Sequence, residues 1–124
     1  MCTKNDTVIN MNPALEVRFF KTESGAEPVR DWLRELPAID RKIAGEDIKT
    51  IQFGWPLGMP LVGHLDGDIW EIRIKLDRRI ARILFVTEKG TMVLLHGFIK
   101  KNQKTPKPDL DLAKARLKQL RRQK

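Results

Sequence analysis

Three side chains suited to phosphate chemistry, Arg73, Arg82 and His96, occur in the second half of the chain, each within a short alternating hydrophobic stretch. Arginine offers a fixed, bidentate cation to a phosphate group. Histidine exchanges protons near neutral pH because its ordinary pKa is about 6.5. Two guanidinium groups side by side repel each other, so a pair of them on neighbouring strands favours an anion between them.

The register of the predicted sheet decides whether these three residues meet. Alternating apolar side chains on two successive strands set Arg73 opposite Arg82, because a slip of one residue would place apolar side chains against charged ones. Continued through the next turn, the same pattern pairs Phe85 with Val93 and leaves Arg82 opposite His96. The sequence therefore predicts a row of Arg73, Arg82 and His96 on the face of the sheet that is turned away from the core.

Such a row is suited to metal-free cleavage of RNA. Acidic residues on that face reduce to Glu71, too few for a two-metal site, and the histidines and the single cysteine form no zinc pattern. RNA needs no metal, since its 2′-hydroxyl attacks the neighbouring phosphate. Arg73 and Arg82 would stabilise the developing charge and His96 would move a proton. Two alternatives stay open: phosphate binding alone, and a structural pairing in which Glu71 neutralises one arginine while the other faces solvent.

A lysine-rich segment supplies the candidate RNA-binding residues. Residues 98–107 hold four lysines and no acid, and they begin with an aromatic residue. Next to a row of arginines, such a segment can hold an RNA backbone while the row contacts one phosphate. The candidates are Phe98, Lys100, Lys101 and Lys104 of this segment, together with Lys75 at the end of an earlier predicted strand.

Charge and composition limit the class of protein. The chain has 124 residues, of which 41% are hydrophobic, as expected for one globular domain. Residues 1–99 carry 14 basic and 14 acidic side chains, so the net charge of +8 resides in residues 100–124, which favours a polyanionic partner. A single cysteine, no apolar run long enough to span a membrane and no secretion signal predict a cytoplasmic protein. No nucleotide-binding or hydrolase motif occurs, and we expect no cofactor.

The elements that must position these residues describe an α+β fold. We expect a flexible tail at residues 1–14 and a single domain over residues 15–124. The domain begins with a strand and a helical hairpin whose second helix buries Ile39, Ile43, Ile48 and Ile51. An antiparallel meander over residues 58–98 follows, with turns at Gly63, 66–68, 77–78 and 89–90. A C-terminal helix begins near Pro108.

Three stretches of the sequence are similar to a known family. GDIWEIR at 67–73, ARILF at 81–85 and LLHGFIKKNQKTP at 94–106 resemble the phage-derived HigB-type branch of the RelE/ParE toxin superfamily. The resemblance spans about Val17 to Leu120. It implies a microbial-RNase-like α+β fold and a type II toxin that cleaves mRNA on the ribosome and so inhibits translation. It also implies a helix-turn-helix antitoxin of the HigA type, and it matches Arg73, Arg82 and the lysine loop to family motifs.

One departure from the family pattern bears on the mechanism. Many RelE-like toxins use a C-terminal tyrosine in catalysis, and this chain contains no tyrosine. The sequence nominates His96 in its place, with the lysines as the second choice. Because ParE-like relatives share the fold but inhibit DNA gyrase, the alternatives are a non-enzymatic gyrase inhibitor or RNA-binding protein on the same fold, or an inactive remnant.

Overall fold

A computed structural model describes residues 13–58, 60–101 and 104–123. The expected tail at 1–14 therefore lies outside the described residues except for Pro13 and Ala14. The helices and strands follow in the order β1 (Glu16–Phe19), α1 (Pro28–Glu35), α2 (Ala38–Gly54), β2 (Val62–Asp66), β3 (Ile69–Leu76), β4 (Arg79–Glu88), β5 (Thr91–Lys100) and α3 (Lys107–Arg122). The predicted α+β order of strand, helical hairpin, meander and C-terminal helix is confirmed.

The five strands form one sheet in the order β1-β5-β4-β3-β2. Strands β2 to β5 are antiparallel neighbours, and β1 joins the far edge parallel to β5. The turns predicted at 66–68, 77–78 and 89–90 are confirmed, and the backbone at Gly67, Arg78 and Lys89 has the positive φ that tight hairpin turns require. The turn predicted at Gly63 is wrong, because Gly63 lies inside β2.

Each face of the sheet carries its own core. On one face, α1 and α2 pack on residues of alternating parity such as Ile72, Ile83 and Leu94. On the other face, α3 packs Ala113 and Leu117, with further apolar residues, on the intervening strand positions. The charged residues that alternate with the first core therefore point toward the α3 side of the sheet, which is also packed.

Helix α2 buries Ile48 and Ile51 as the sequence predicts, but the predicted burial of Ile39 is wrong. Ile39 is 69% exposed, whereas Asp40 is only 2% exposed. The buried stripe runs through Asp40, Ala44 and Ile48 at intervals of four residues, so Ile39, one position earlier, points away from the sheet. Asp40 is stabilised there by an ion pair with Arg79 of β4, which ties the start of α2 to the β3–β4 hairpin.

A β-bulge in β5 is contacted by a side chain of α3. The pairing of β4 with β5 shifts between Leu84 and Phe85, which leaves an extra residue on β5 at Leu95. The Nη1 atom of Arg116 donates a hydrogen bond to the Leu95 carbonyl oxygen at 2.7 Å, and its guanidinium lies 5.8 Å from the centre of the Phe20 ring. Burial lowers the pKa of Arg116, but the side chain still satisfies this carbonyl group and fixes the helix on the sheet.

Candidate nucleic-acid interface

The pairing of β3 with β4 follows the predicted register. Trp70 lies opposite Phe85, and Arg73 lies opposite Arg82. The alternation of apolar residues was sufficient here because both strands are regular and a two-residue turn joins them. The two arginines are therefore neighbours, as the sequence predicts.

The predicted position of His96 is wrong. Phe85 pairs with Leu94 rather than Val93, and after the bulge Leu84 pairs with His96, so Phe98 lies opposite Arg82. A two-residue turn and one extra residue in β5 cause the error, because each of them shifts the pairing by one position. The row on the sheet is thus Arg73, Arg82 and Phe98.

His96 is a residue of β5, and its side chain contacts the start of α3. Its Nε2 atom is 2.6 Å from Oδ1 of Asp109, and its ring stacks on Phe98 with centroids 5.4 Å apart. Phe98 itself packs against the core beneath α3. These contacts attach the first turn of α3 to the sheet. The predicted row of Arg73, Arg82 and His96, on which the catalytic role of His96 was based, is not formed.

A buried ion cluster replaces the open pair of arginines. The Glu71 side chain is 2% exposed; its Oε1 accepts a hydrogen bond from Nη1 of Arg82 at 3.0 Å, and its Oε2 accepts one from Nε of Arg73 at 3.0 Å. Thr105 closes the cluster, since its hydroxyl accepts from Arg82 at 2.8 Å and donates to Glu71 at 2.9 Å. One carboxylate therefore binds both guanidinium groups and ties the loop before α3 to the sheet.

The two arginines differ in their access to solvent. The Arg82 side chain is 6% exposed, so the prediction that it lies on a face turned away from the core is wrong. The Arg73 side chain is 30% exposed and extends over Gly63 of β2, where a Cβ atom would lie 2.7 Å from its Nη2. Arg73 can therefore reach a phosphate directly, while Arg82 supports it from inside the cluster.

Two adjoining depressions form a basic cleft at the sheet edge where β2 begins. The inner pocket has a volume of about 410 Å³ and the outer groove one of about 670 Å³. They share Lys75, Ile80 and Lys100. The inner pocket is completed by Ile43, Asp47, Pro60, Leu61, Arg73 and Arg82, and the outer groove by Leu76, Arg78, Arg79 and Lys101. This arrangement concentrates positive charge in a concave surface, which attracts an anionic chain.

Asp47 is the one carboxylate among the described residues that line the basic cleft. It projects from the middle of α2 four residues after Ile43, so both side chains lie on the same helix face. Partial burial raises the pKa of Asp47, and the neighbouring charge of Glu46 raises it further. The basic cleft thus combines fixed cations with one carboxylate of increased proton affinity.

Comparison with known protein families identifies the family of the chain. A family model described as phage-derived protein Gp49-like matches residues 31–118, which is most of the chain. The chain belongs to this family. Gp49-like proteins are a RelE/ParE-like toxin family, and the five-stranded sheet with its C-terminal helix is consistent with the RelE-like fold. No curated protein matches the chain in sequence.

The matched range of this Gp49-like chain includes every residue that lines the basic cleft. Of the predicted site residues, the cleft brings together Arg73, Arg82, Lys75, Lys100 and Lys101. His96 and Phe98 lie beneath α3, and Lys104 is exposed in the preceding loop, so none of the three lines the cleft.

Sequence reasoning missed three charged residues of the cleft. Arg78 and Arg79 form the end of the β3–β4 hairpin, and the predicted turn at 77–78 between two basic strands was a usable signal for them. Asp47 gave no such signal, because it sits on a helix far from the sheet in the chain and resembles an ordinary solvated helix residue.

The described part of the chain contains no helix long and apolar enough to cross a membrane. Within the same ranges, no three His, Cys, Asp or Glu side chains come together in a way that could hold a metal ion.

Proposed function

We propose that this protein is the toxin of a type II toxin-antitoxin system, a HigB-type endoribonuclease that cleaves mRNA on the ribosome without a metal. The observation that carries the proposal is the basic cleft, whose cations come from β3, β4 and β5 within the range matched by the Gp49-like family. A helix-turn-helix antitoxin of the HigA type would neutralise the toxin in the cytoplasm, and the single domain expected over residues 15–124 would carry the activity.

The roles of the cleft residues follow from their exposure. Arg73 contacts the phosphate at the cleavage site, because its guanidinium is partly exposed and is oriented by Glu71. Arg82 is a positioning residue that acts through the Glu71 cluster. The RNA backbone on either side of that phosphate is held by the ammonium groups of Lys75, Lys100 and Lys101, which line the basic cleft.

The experiment compares two lysine pairs of equal charge. The wild-type chain, the cleft variant Lys75→Ala/Lys100→Ala and the control Lys42→Ala/Lys49→Ala are expressed without antitoxin, and mRNA 5′ ends are mapped. Lys42 and Lys49 are exposed on α2 and do not line the cleft, so both variants lose the same charge. We expect growth arrest and new 5′ ends within translated frames for the wild type and the control, and neither for the cleft variant.

Arg82→Ala is a poor choice for this comparison, because Arg82 is buried in the Glu71 cluster and its loss would disturb folding. Unchanged mRNA in cells that the wild-type protein arrests would refute the ribonuclease proposal.

A second candidate, inhibition of DNA gyrase in the ParE manner, is favoured by one observation. The chain lacks tyrosine, and the predicted proton carrier His96 does not line the cleft, so the surface also suits a binder without catalysis. A supercoiling assay with purified protein separates the two. Loss of supercoiling with intact translated mRNA would establish the gyrase reading.

A further inference from the structure

One carboxylate lies in a pocket whose other charged side chains are all cations. Asp47 lines the inner pocket with Arg73, Lys75, Arg82 and Lys100, and apolar side chains such as Ile43 complete the wall beside it. We propose that Asp47 is the general base of the cleavage reaction, taking the proton from the RNA 2′-hydroxyl that attacks the phosphate. This inference rests on the proposed ribonuclease function and names the residue that its chemistry requires.

The position of Asp47 suits a proton acceptor. It lies in the middle of α2, a 17-residue helix, so the carboxylate is held on a rigid element that lines the same pocket as the cations of the sheet. Arg73 and Lys75 face the pocket from β3, Arg82 from β4 and Lys100 from β5, while Glu46 is the charged neighbour on its own helix. A phosphate held by these cations would place its ribose near the α2 wall.

The electrostatics of the site strengthen Asp47 as a base. Partial burial and the charge of Glu46 both raise its pKa, despite the cations across the pocket. A carboxylate with a raised pKa binds a proton more tightly than an ordinary aspartate and is therefore a better base near neutral pH.

Two other carboxylates, those of Glu71 and Asp40, make structural contacts with arginines of the basic cleft. Glu71 is buried and its two oxygens accept from Arg73, Arg82 and Thr105. Asp40 is buried in its pair with Arg79. Among the described residues that line the pocket, Asp47 alone offers a carboxylate to a bound ligand.

The step balances without a further reactant. The 2′-oxygen loses its proton to Asp47 and forms a bond to phosphorus, the bond from phosphorus to the 5′-oxygen breaks, and water protonates the leaving 5′-oxygen. Asp47 then releases its proton to solvent. The products are a 2′,3′-cyclic phosphate and a 5′-hydroxyl end, with Arg73 neutralising the charge that develops on the phosphate.

The test uses purified full-length chain and ribosomes programmed with a 5′-labelled mRNA, in single-turnover reactions from about pH 5 to pH 8. For Asp47→Asn we expect cleavage to fall by about 100-fold or more, with RNA affinity unchanged or higher. Asp47→Glu restores part of the rate, and the wild-type product carries the cyclic phosphate. Thermal unfolding of each variant confirms that it is folded.

The Glu46→Gln variant tests whether Asp47 acts as a base, because a purely structural role of Asp47 would leave the pH dependence of the cleavage rate unchanged. Glu46 is exposed and does not line the pocket, so cleavage near neutral pH stays close to wild type. Removing its charge lowers the pKa of Asp47 and shifts the acid limb of the rate profile to lower pH.

The outcomes separate this inference from the proposed function. Wild-type cleavage with an equally active, folded Asp47→Asn variant overturns the role of Asp47 and leaves the ribonuclease intact. An acid limb that Glu46→Gln does not move also overturns it. No cleavage by the wild-type protein on programmed ribosomes overturns the ribonuclease proposal itself.

Discussion

Replacing Glu71 with glutamine tests the buried ion cluster most directly. The substitution keeps the size of the side chain and one carbonyl acceptor but removes the charge that holds two guanidinium groups. Arg82, whose side chain is 6% exposed, is then left as a buried cation without its carboxylate. We expect Glu71→Gln to lower the free energy of unfolding substantially.

The magnitude follows from the exposure of each pair. Removing one partner of a buried ion pair costs about 3–5 kcal/mol. The pair with Arg73, whose side chain is 30% exposed, adds at most about 1 kcal/mol. Because glutamine still accepts a hydrogen bond from Thr105, we expect a total loss of about 3 kcal/mol. For a domain of this size, that lowers the melting temperature by roughly 10–20 °C.

Urea unfolding followed by tryptophan fluorescence measures the change, since the chain has three tryptophans. The matched control is Asp111→Asn, which removes a carboxylate from an exposed pair with Lys107, where the side chains are 51% and 84% exposed. That variant should lose less than about 0.5 kcal/mol.

A double variant identifies the physical cause. Glu71→Gln/Arg82→Met should be more stable than Glu71→Gln alone, because it also removes the buried cation that has lost its carboxylate. A Glu71→Gln variant within about 1 kcal/mol of the wild type would refute the reasoning that the cluster is buried and mutually dependent.

Three further predictions concern other parts of the site and fold. Gly63→Ala should displace the Arg73 guanidinium, since the new Cβ would lie 2.7 Å from Nη2, and should lower cleavage severalfold in the ribosome assay with little change in urea stability. Gly97→Ala should lower the free energy of unfolding by about 1–3 kcal/mol, because its Cβ would lie 2.5 Å from the Trp32 ring. Adding Trp32→Leu should relieve the loss, and an unchanged urea midpoint for Gly97→Ala would contradict this packing. Folding raises the pKa of Asp47, so the contribution of its protonated form to stability is present at low pH and is lost as pH rises through the folded pKa. Asp47→Asn should therefore be more stable than the wild type at neutral pH and equally stable well below the ordinary aspartate pKa. Equal stability of the two proteins at both pH values would contradict the shift.

The wrong predictions concern positions where a contact with a residue distant in the chain, and not the local sequence pattern, decides the structure. The predicted position of His96 is wrong because β5 has an extra residue at Leu95, whose carbonyl oxygen accepts a hydrogen bond from Arg116 of α3. The sequence predicts a turn at Gly63, yet it is a strand residue whose missing side chain makes room for Arg73. In both cases the deciding partner is a side chain from another element, which periodicity does not reveal.

The amino-acid sequence by itself determined the order of elements, the hairpin turns and the pairing of Arg73 with Arg82, because hydrophobic periods and turn residues act over a few positions. Only the tertiary structure decided that Arg82 is buried against Glu71 and that Asp47 lines a pocket of cations. Burial and local charge depend on which elements pack together, and the candidate site is formed by residues that meet only after α2 and the sheet have assembled.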